Sequence, residues 1–194
     1  MSAAPLDVLA LAAHRDDVEQ TCGGTLLKMA QRGQRTGILD LTQGEMGTRG
    51  TADERAHEAQ EAARLLKVSF RQALDIPDGK VENTWENRIK IARVIREQRP
   101  RVLILPYWQG RHPDHYTASL LGYEAAFVAG LKKLGITPGS HSAQAISDLP
   151  AHRPFKIIYA SLYYDTRPTF VVDITEQFEI RLQALLAYRS QYAD

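Results

Sequence analysis

Three short, almost wholly apolar runs recur along the chain: Leu6–Ala13, Thr36–Thr42 (TGILDLT) and Val102–Pro106 (VLILP). A strand without a polar face has to be covered on both sides, so these runs read as buried strands of a sheet layered by helices. The segments between them carry helical signals. Cys22–Gln31 reads as a helix with Gly33 as its stop. A glycine-punctuated loop, Gln43–Gly50, precedes a helix in which Thr51 and Glu54 have capping-box spacing and Ala56, Ala59, Ala63 and Leu66 line one face. Trp85–Gln98 places Ile89, Ala92 and Ile95 at helical spacing, and Pro100 ends it. His112 and Pro113 open a helix expected to run to about Lys133. Gly135–Pro154 reads as a long loop, Lys156–Tyr164 and Thr169–Asp173 as two late strands, and Thr175–Arg189 as a closing helix. The alternation predicts an α/β sandwich around a mostly parallel sheet.

With 194 residues, the chain is expected to form one domain over 1–194. Lys plus Arg is 24 against 23 Asp plus Glu, a formal net charge of +1. Scattered, balanced charge gives no footprint of a nucleic-acid binder or of a polybasic membrane binder. The apolar stretch Val8–Ala13 meets His-Arg-Asp-Asp at once, too soon for a signal peptide or a membrane span, so a cytoplasmic protein is expected. The single cysteine, Cys22, allows neither an intrachain disulfide nor a cysteine-based zinc site.

Open parallel sheets bind ligands beyond the carboxyl ends of their strands. The first such turn, His14-Arg15-Asp16-Asp17-Val18-Glu19, lacks the G-x-G-x-x-G of a dinucleotide binder and offers a histidine and carboxylates instead. The loop after VLILP holds Arg111-His112-Pro113-Asp114-His115, at the same edge of the sheet. Histidine and aspartate are the ligands zinc accepts without cysteine, and a catalytic zinc typically takes three protein ligands. His14, Asp17 and His115 would supply that set. Asp16 would then stand free as a general base, His112 would face a developing oxyanion as an imidazolium, and Asp114 would hold a histidine in one orientation. Simpler accounts compete. Asp16, Asp17 and Glu19 are also what a helix N-terminus attracts, and His112-Pro113-Asp114 is also an ordinary helix start. Arg55 could pair with Glu58 at i+3 or present its fork of donors to a hydroxyl-rich or anionic substrate.

AAHRDDVE followed by GGTL, then DLTQGEMGTRGT-x-x-x-R, then PYWQGRHPDH, and LAYRSQ near the end, together resemble the PIG-L-like (LmbE-like) zinc-dependent N-deacetylases. The branch most similar is that of the N-acetylglucosaminyl malate deacetylases of bacillithiol synthesis. The resemblance implies a Rossmann-like three-layer fold and Zn2+ held by His14, Asp17 and His115. It implies Asp16 as general base, His112 as stabiliser of the tetrahedral intermediate, Asp114 as an orienting partner and Arg55 as a substrate-binding residue, with Arg111 a weaker match. It also implies an N-acetylated amino-sugar substrate and a homo-oligomer, often a hexamer. The chain departs from the family at Arg15, where proline is common, and it stops at Asp194, short of where relatives end. Two other functions remain open on the residues: a non-haem iron enzyme using the same three ligands, and a sugar-binding relative with impaired catalysis.

Overall fold

The computed structural model describes residues 4–134, 146, 148–161 and 164–192. Its elements in chain order are β1 (Val8–Ala12), α1 (Asp17–Thr21), α2 (Gly23–Gln31), β2 (Thr36–Asp40), α3 (Ala52–Leu65), β3 (Phe70–Ala73) and α4 (Trp85–Gln98). There follow β4 (Val102–Pro106), α5 (Pro113–Ala129), β5 (Lys156–Ala160), a 3-10 turn at Thr175–Gln177, α6 (Phe178–Leu186) and α7 (Arg189–Tyr192). The five strands form one sheet in the order β3-β2-β1-β4-β5, every neighbouring pair parallel.

The period of two along β1 builds the layers. Leu9 and Leu11 face Ile91, Ile95, Leu121 and Ala125 of α4 and α5. Val8, Ala10 and Ala12 face the other way, toward Leu26 and Leu27 of α2, Ala62 of α3 and Ala184 of α6. All five residues of β1 are buried, as a central parallel strand requires. The result is the expected three-layer α/β sandwich with a parallel sheet.

Local signals place several elements correctly. The capping box closes on both sides: Thr51 Oγ1 accepts the Glu54 N–H at 3.1 Å, and Glu54 Oε2 accepts the Thr51 N–H at 2.7 Å. Trp85–Gln98 and Val102–Pro106 have the expected bounds. Four expectations change. The strand expected over Lys156–Tyr164 ends at Ala160. α5 stops at Ala129 rather than near Lys133. The closing helix is divided into a 3-10 turn, α6 and α7. Thr169–Asp173 is not a strand: it joins no ladder among the described residues, and Phe170 and Val171 are 58% and 80% exposed. Its β-branched and aromatic residues satisfy strand propensity, but no sheet edge receives them. Conversely β3, unmarked by hydrophobic pattern, forms because the β2 edge offers it a ladder, Gly37 opposite Phe70 through Asp40 opposite Ala73. The long loop expected over Gly135–Pro154 lies mostly outside the described residues.

Candidate metal centre and active site

β1 has β2 on one side and β4 on the other, so the direction of winding reverses between β1 and β4 and a crevice opens at their carboxyl ends. The loop after β1 brings His14, Asp16 and Asp17 to this edge, and the loop after β4 brings Arg111, His112, Asp114 and His115.

His14 Nδ1 lies 3.2 Å from His115 Nε2. The Asp17 carboxylate reaches within 3.6 Å of the first and 3.2 Å of the second. Zinc bonds of about 2.0–2.2 Å in tetrahedral geometry separate neighbouring ligands by roughly 3.3–3.6 Å. The donor set and its spacing therefore fit a divalent metal. His112 belongs to the same cluster, since ring nitrogens of His14, His112 and His115 all lie within 4.8 Å of one another.

Asp78 and Asp114 form an equally close group with His14, but on the far side of its ring. His14 Nε2 is 3.1 Å from Asp78 Oδ1 and 3.3 Å from Asp114 Oδ2. Both carboxylates are also tied to backbone: Asp114 accepts the N–H groups of Gly79 at 2.8 Å and Val81 at 3.3 Å, and Asp78 accepts that of Met46 at 3.0 Å. They fix the ring from behind and leave Nδ1 turned toward His115. Asp78 has no counterpart in the sequence analysis. Its signal is the Pro77-Asp78-Gly79 turn, which becomes a sheet-edge loop only once β3 is known.

Asp16 stands at the N-cap of α1, yet its side chain makes no capping bond. Its Oδ2 accepts the Tyr192 O–H at 2.8 Å, and its Oδ1 lies 3.8 Å from Arg55 Nη2. Burial, reinforced by the neighbouring Asp17 charge, pushes its pKa up to about 6. A carboxylate outside the donor cluster that changes protonation near neutrality suits proton transfer. His112 caps α5, its Nδ1 accepting the Asp114 N–H at 3.2 Å. Burial, with His14 and His115 adding to it, lowers the His112 pKa. With Nδ1 accepting that hydrogen bond, the proton of the neutral ring sits on Nε2. Arg55 is buried on α3 and donates from Nη1 to the Gly44 carbonyl at 2.9 Å. Gly44 has φ +73, and a Cβ there would collide with Arg55 Nη1, so the guanidinium is sheathed by the glycine loop. Arg111 lies exposed immediately before His112.

Burial by itself would lower the His14 pKa, but hydrogen bonds to Asp17 and Asp78 carry it up to about 10. Burial would likewise raise Asp17, and its bonds to His115 and His14 hold it well below the usual carboxylate range. These are two views of one interaction. Stripped of metal, the folded protein thus keeps a proton on His14 that the unfolded chain releases near pH 6.5. A folded pKa above the unfolded value gives stability that is full below pH 6.5 and lost as pH rises through about 10. Urea titrations of chelator-treated protein should show a loss on the order of a few kcal/mol across that window, and His14→Gln should flatten the profile. Metal must displace the same proton, so its affinity should rise over the same range. A chelated protein whose stability ignores pH there would contradict this account.

Two imidazoles and a carboxylate around one point, with a second carboxylate beside them, are the equipment of a metal-dependent hydrolase. The family model "PIG-L: GlcNAc-PI de-N-acetylase" matches residues 9–126, a span that includes every residue of the two loops. The chain is 33% identical over 198 aligned positions to diacetylchitobiose deacetylase of Thermococcus kodakarensis, covering 96% of this chain and 70% of that one. Among solved structures, conserved protein TT1542 of Thermus thermophilus superposes with a TM-score of 0.85 at 40% identity, over 95% of this chain and 79% of its own. N,N'-diacetylchitobiose deacetylase of Pyrococcus horikoshii superposes with a TM-score of 0.83 at 28% identity, over 96% and 71%. The chain belongs to the PIG-L family, and with it to the N-deacetylases, hydrolases of an amide C–N bond. Among the described residues no helix is long and apolar enough to cross a membrane.

Proposed function

We propose that the protein hydrolyses the acetamide of an N-acetylated glucosamine derivative, with Zn2+ as its metal and N-acetylglucosaminyl malate as the expected substrate. The observation that carries this reading is the convergence of His14, Asp17 and His115 at 3.2–3.6 Å with Asp16 beside them and outside the set. His14, Asp17 and His115 would hold the metal, which when bound supplies a Lewis acid for the acyl carbonyl and acidifies water. Asp16 takes a proton from the attacking water as its oxygen adds to the carbonyl carbon. The Nε2–H of His112 donates to the oxygen on which negative charge develops. As the C–N bond breaks, Asp16 returns its proton to the departing nitrogen, releasing acetate and the free amine. Asp78 and Asp114 hold His14 throughout. Arg111 at the rim suits an anionic aglycone such as malate.

A cavity of about 30 Å³ has Asp17 and His115 in its wall, with Val18, Cys22, Ile104 and Ala160 among the rest of its lining, and a small acyl group such as acetyl suits it. Tyr116, Leu120, Tyr123 and Phe127, all exposed at helical spacing along α5, support a homo-oligomer as part of the same reading.

The test is acetate release by zinc-loaded protein from N-acetylglucosaminyl malate, diacetylchitobiose and free N-acetylglucosamine, with and without chelator and with oxygen excluded. Chelator-sensitive, oxygen-independent release is expected, fastest with the malate conjugate. N-butyryl analogues should react at least about tenfold more slowly, since one misfitting methylene is commonly worth about 10–200-fold. Zinc-loaded protein that releases no acetate from any of these would overturn the reading, and a requirement for dioxygen would turn it toward iron chemistry.

A further inference from the structure

The last described turn of the chain lies across the loop that carries Asp16. Within α7, the Ser190 N–H and Oγ–H both donate to the carboxylate of Glu58 on α3, each at 2.7 Å. Gln191 Nε2 donates to the Arg49 carbonyl at 2.7 Å. Just before α7, the Tyr188 hydroxyl donates to the buried Glu19 on α1 at 3.1 Å. Gly50, at φ +74, is where this turn comes closest to the glycine loop, and a Cβ there would stand 2.6 Å from the Ser190 side chain. None of these anchors involves Asp16. Together they bring Tyr192 to Asp16 from outside the metal cluster, with its hydroxyl donating to Oδ2 at 2.8 Å.

Asp16 has few other restraints. It makes no capping bond, and Arg55 Nη2 at 3.8 Å is beyond hydrogen-bonding distance of Oδ1. An O–H···O⁻ bond is short, directional and charge-assisted, so it fixes a carboxylate's rotation as well as its place. We infer that Tyr192 is a positioning residue for deacetylation: it holds Oδ2 of Asp16 so that Oδ1 is left to carry the proton between water and the departing nitrogen. The inference rests on Asp16 being the base of the proposed reaction. It gives the C-terminal turn a part in the chemistry, although no atom of that turn belongs to the metal cluster. A carboxylate free to rotate would spend much of its time with neither oxygen aligned to the reacting water, and small misplacements of this kind are costly in rate.

Tyr192→Phe removes the hydroxyl and keeps the ring, and Tyr192→Leu removes both. On zinc-loaded protein with the best substrate, Tyr192→Phe should lower kcat about 10–100-fold, the range typical when a partner that orients a metal-site group is lost. KM, zinc content and Tm should stay at their wild-type values, and Tyr192→Leu should lose no more kcat than Tyr192→Phe. A Tyr192→Phe enzyme with wild-type kcat would overturn the inference. So would a loss confined to KM, or one that appears only in Tyr192→Leu, since that is the mark of ring packing. Wild-type protein that releases no acetate would overturn the proposed reaction, and this inference with it. An active wild type matched by Tyr192→Phe would overturn this inference alone.

Discussion

Asp16→Asn is expected to lower kcat by about 10²–10⁴-fold, the usual worth of a positioned acid–base group, while zinc content stays at the wild-type level. The expectation follows from where the carboxylate stands. Its oxygens meet Tyr192 at 2.8 Å and Arg55 at 3.8 Å, whereas the histidine nitrogens of the donor cluster meet Asp17. Asparagine preserves shape and the hydrogen bond from Tyr192 but cannot accept a proton. Asp17→Asn makes the contrast, because Asp17 accepts the His14 N–H at 2.9 Å and lies between both imidazoles, so metal and activity should fall together. Metal analysis alongside acetate release separates the two positions. If Asp16→Asn arrives without zinc, Asp16 is a ligand and the division of labour proposed for the site is wrong.

The largest effect on stability is expected at Arg71. From β3 its guanidinium grips Asp40 with two bonds, Nε at 2.9 Å and Nη2 at 3.0 Å, and reaches Glu19 with Nη1 at 2.6 Å. Asp40 is 1% exposed and Glu19 fully buried. Arg71→Met would strand two carboxylates in the interior, a change that typically costs about 3–5 kcal/mol. Burial already raises the Asp40 pKa, with Arg71 opposing it. Without Arg71 the folded state would hold protons more tightly than the unfolded chain, so the variant's deficit should shrink as pH falls. Glu19 lies on α1 two residues after Asp17, so a weakened metal site should accompany the loss. Urea unfolding of Arg71→Met, alone and combined with Glu19→Gln and Asp40→Asn, tests the cause. Partial recovery in the combined variant is expected, and a deficit under about 1 kcal/mol for Arg71→Met would show that the triad matters little.

Neither Arg71 nor Tyr192 stands out in the sequence, and the reason is the same for both. Arg71 is a charged residue in Phe70–Ala73, a segment without a buried alternating face, and its partners are 31 and 52 positions away. Tyr192 meets Asp16 across 176 positions. Asp78 is hidden in the same way, since its loop gains meaning only when β3 is placed at the sheet edge. The two loops that build the metal cluster are legible because each packs several chemistry-bearing side chains into a few residues directly after an apolar run. The same dependence on context explains Thr169–Asp173, where propensity alone suggests a strand that no sheet edge completes.

The chain by itself determined the elements whose causes are local: the buried strands Val8–Ala12 and Val102–Pro106, the capping box at Thr51, and the grouping of His14 with Asp16 and Asp17 and of His112 with Asp114 and His115. Hydrophobic period, capping chemistry and short-range clustering act over one or two turns, so they can be read in order along a sequence. Only the tertiary structure decided which histidine nitrogens face each other, that Asp78 and Asp114 stand behind His14 while Asp17 stands in front, and that Tyr192 reaches Asp16. Those outcomes depend on the order of strands and the docking of the last turns, where a few ångströms separate a ligand from a supporting carboxylate and residue type alone carries no such distance.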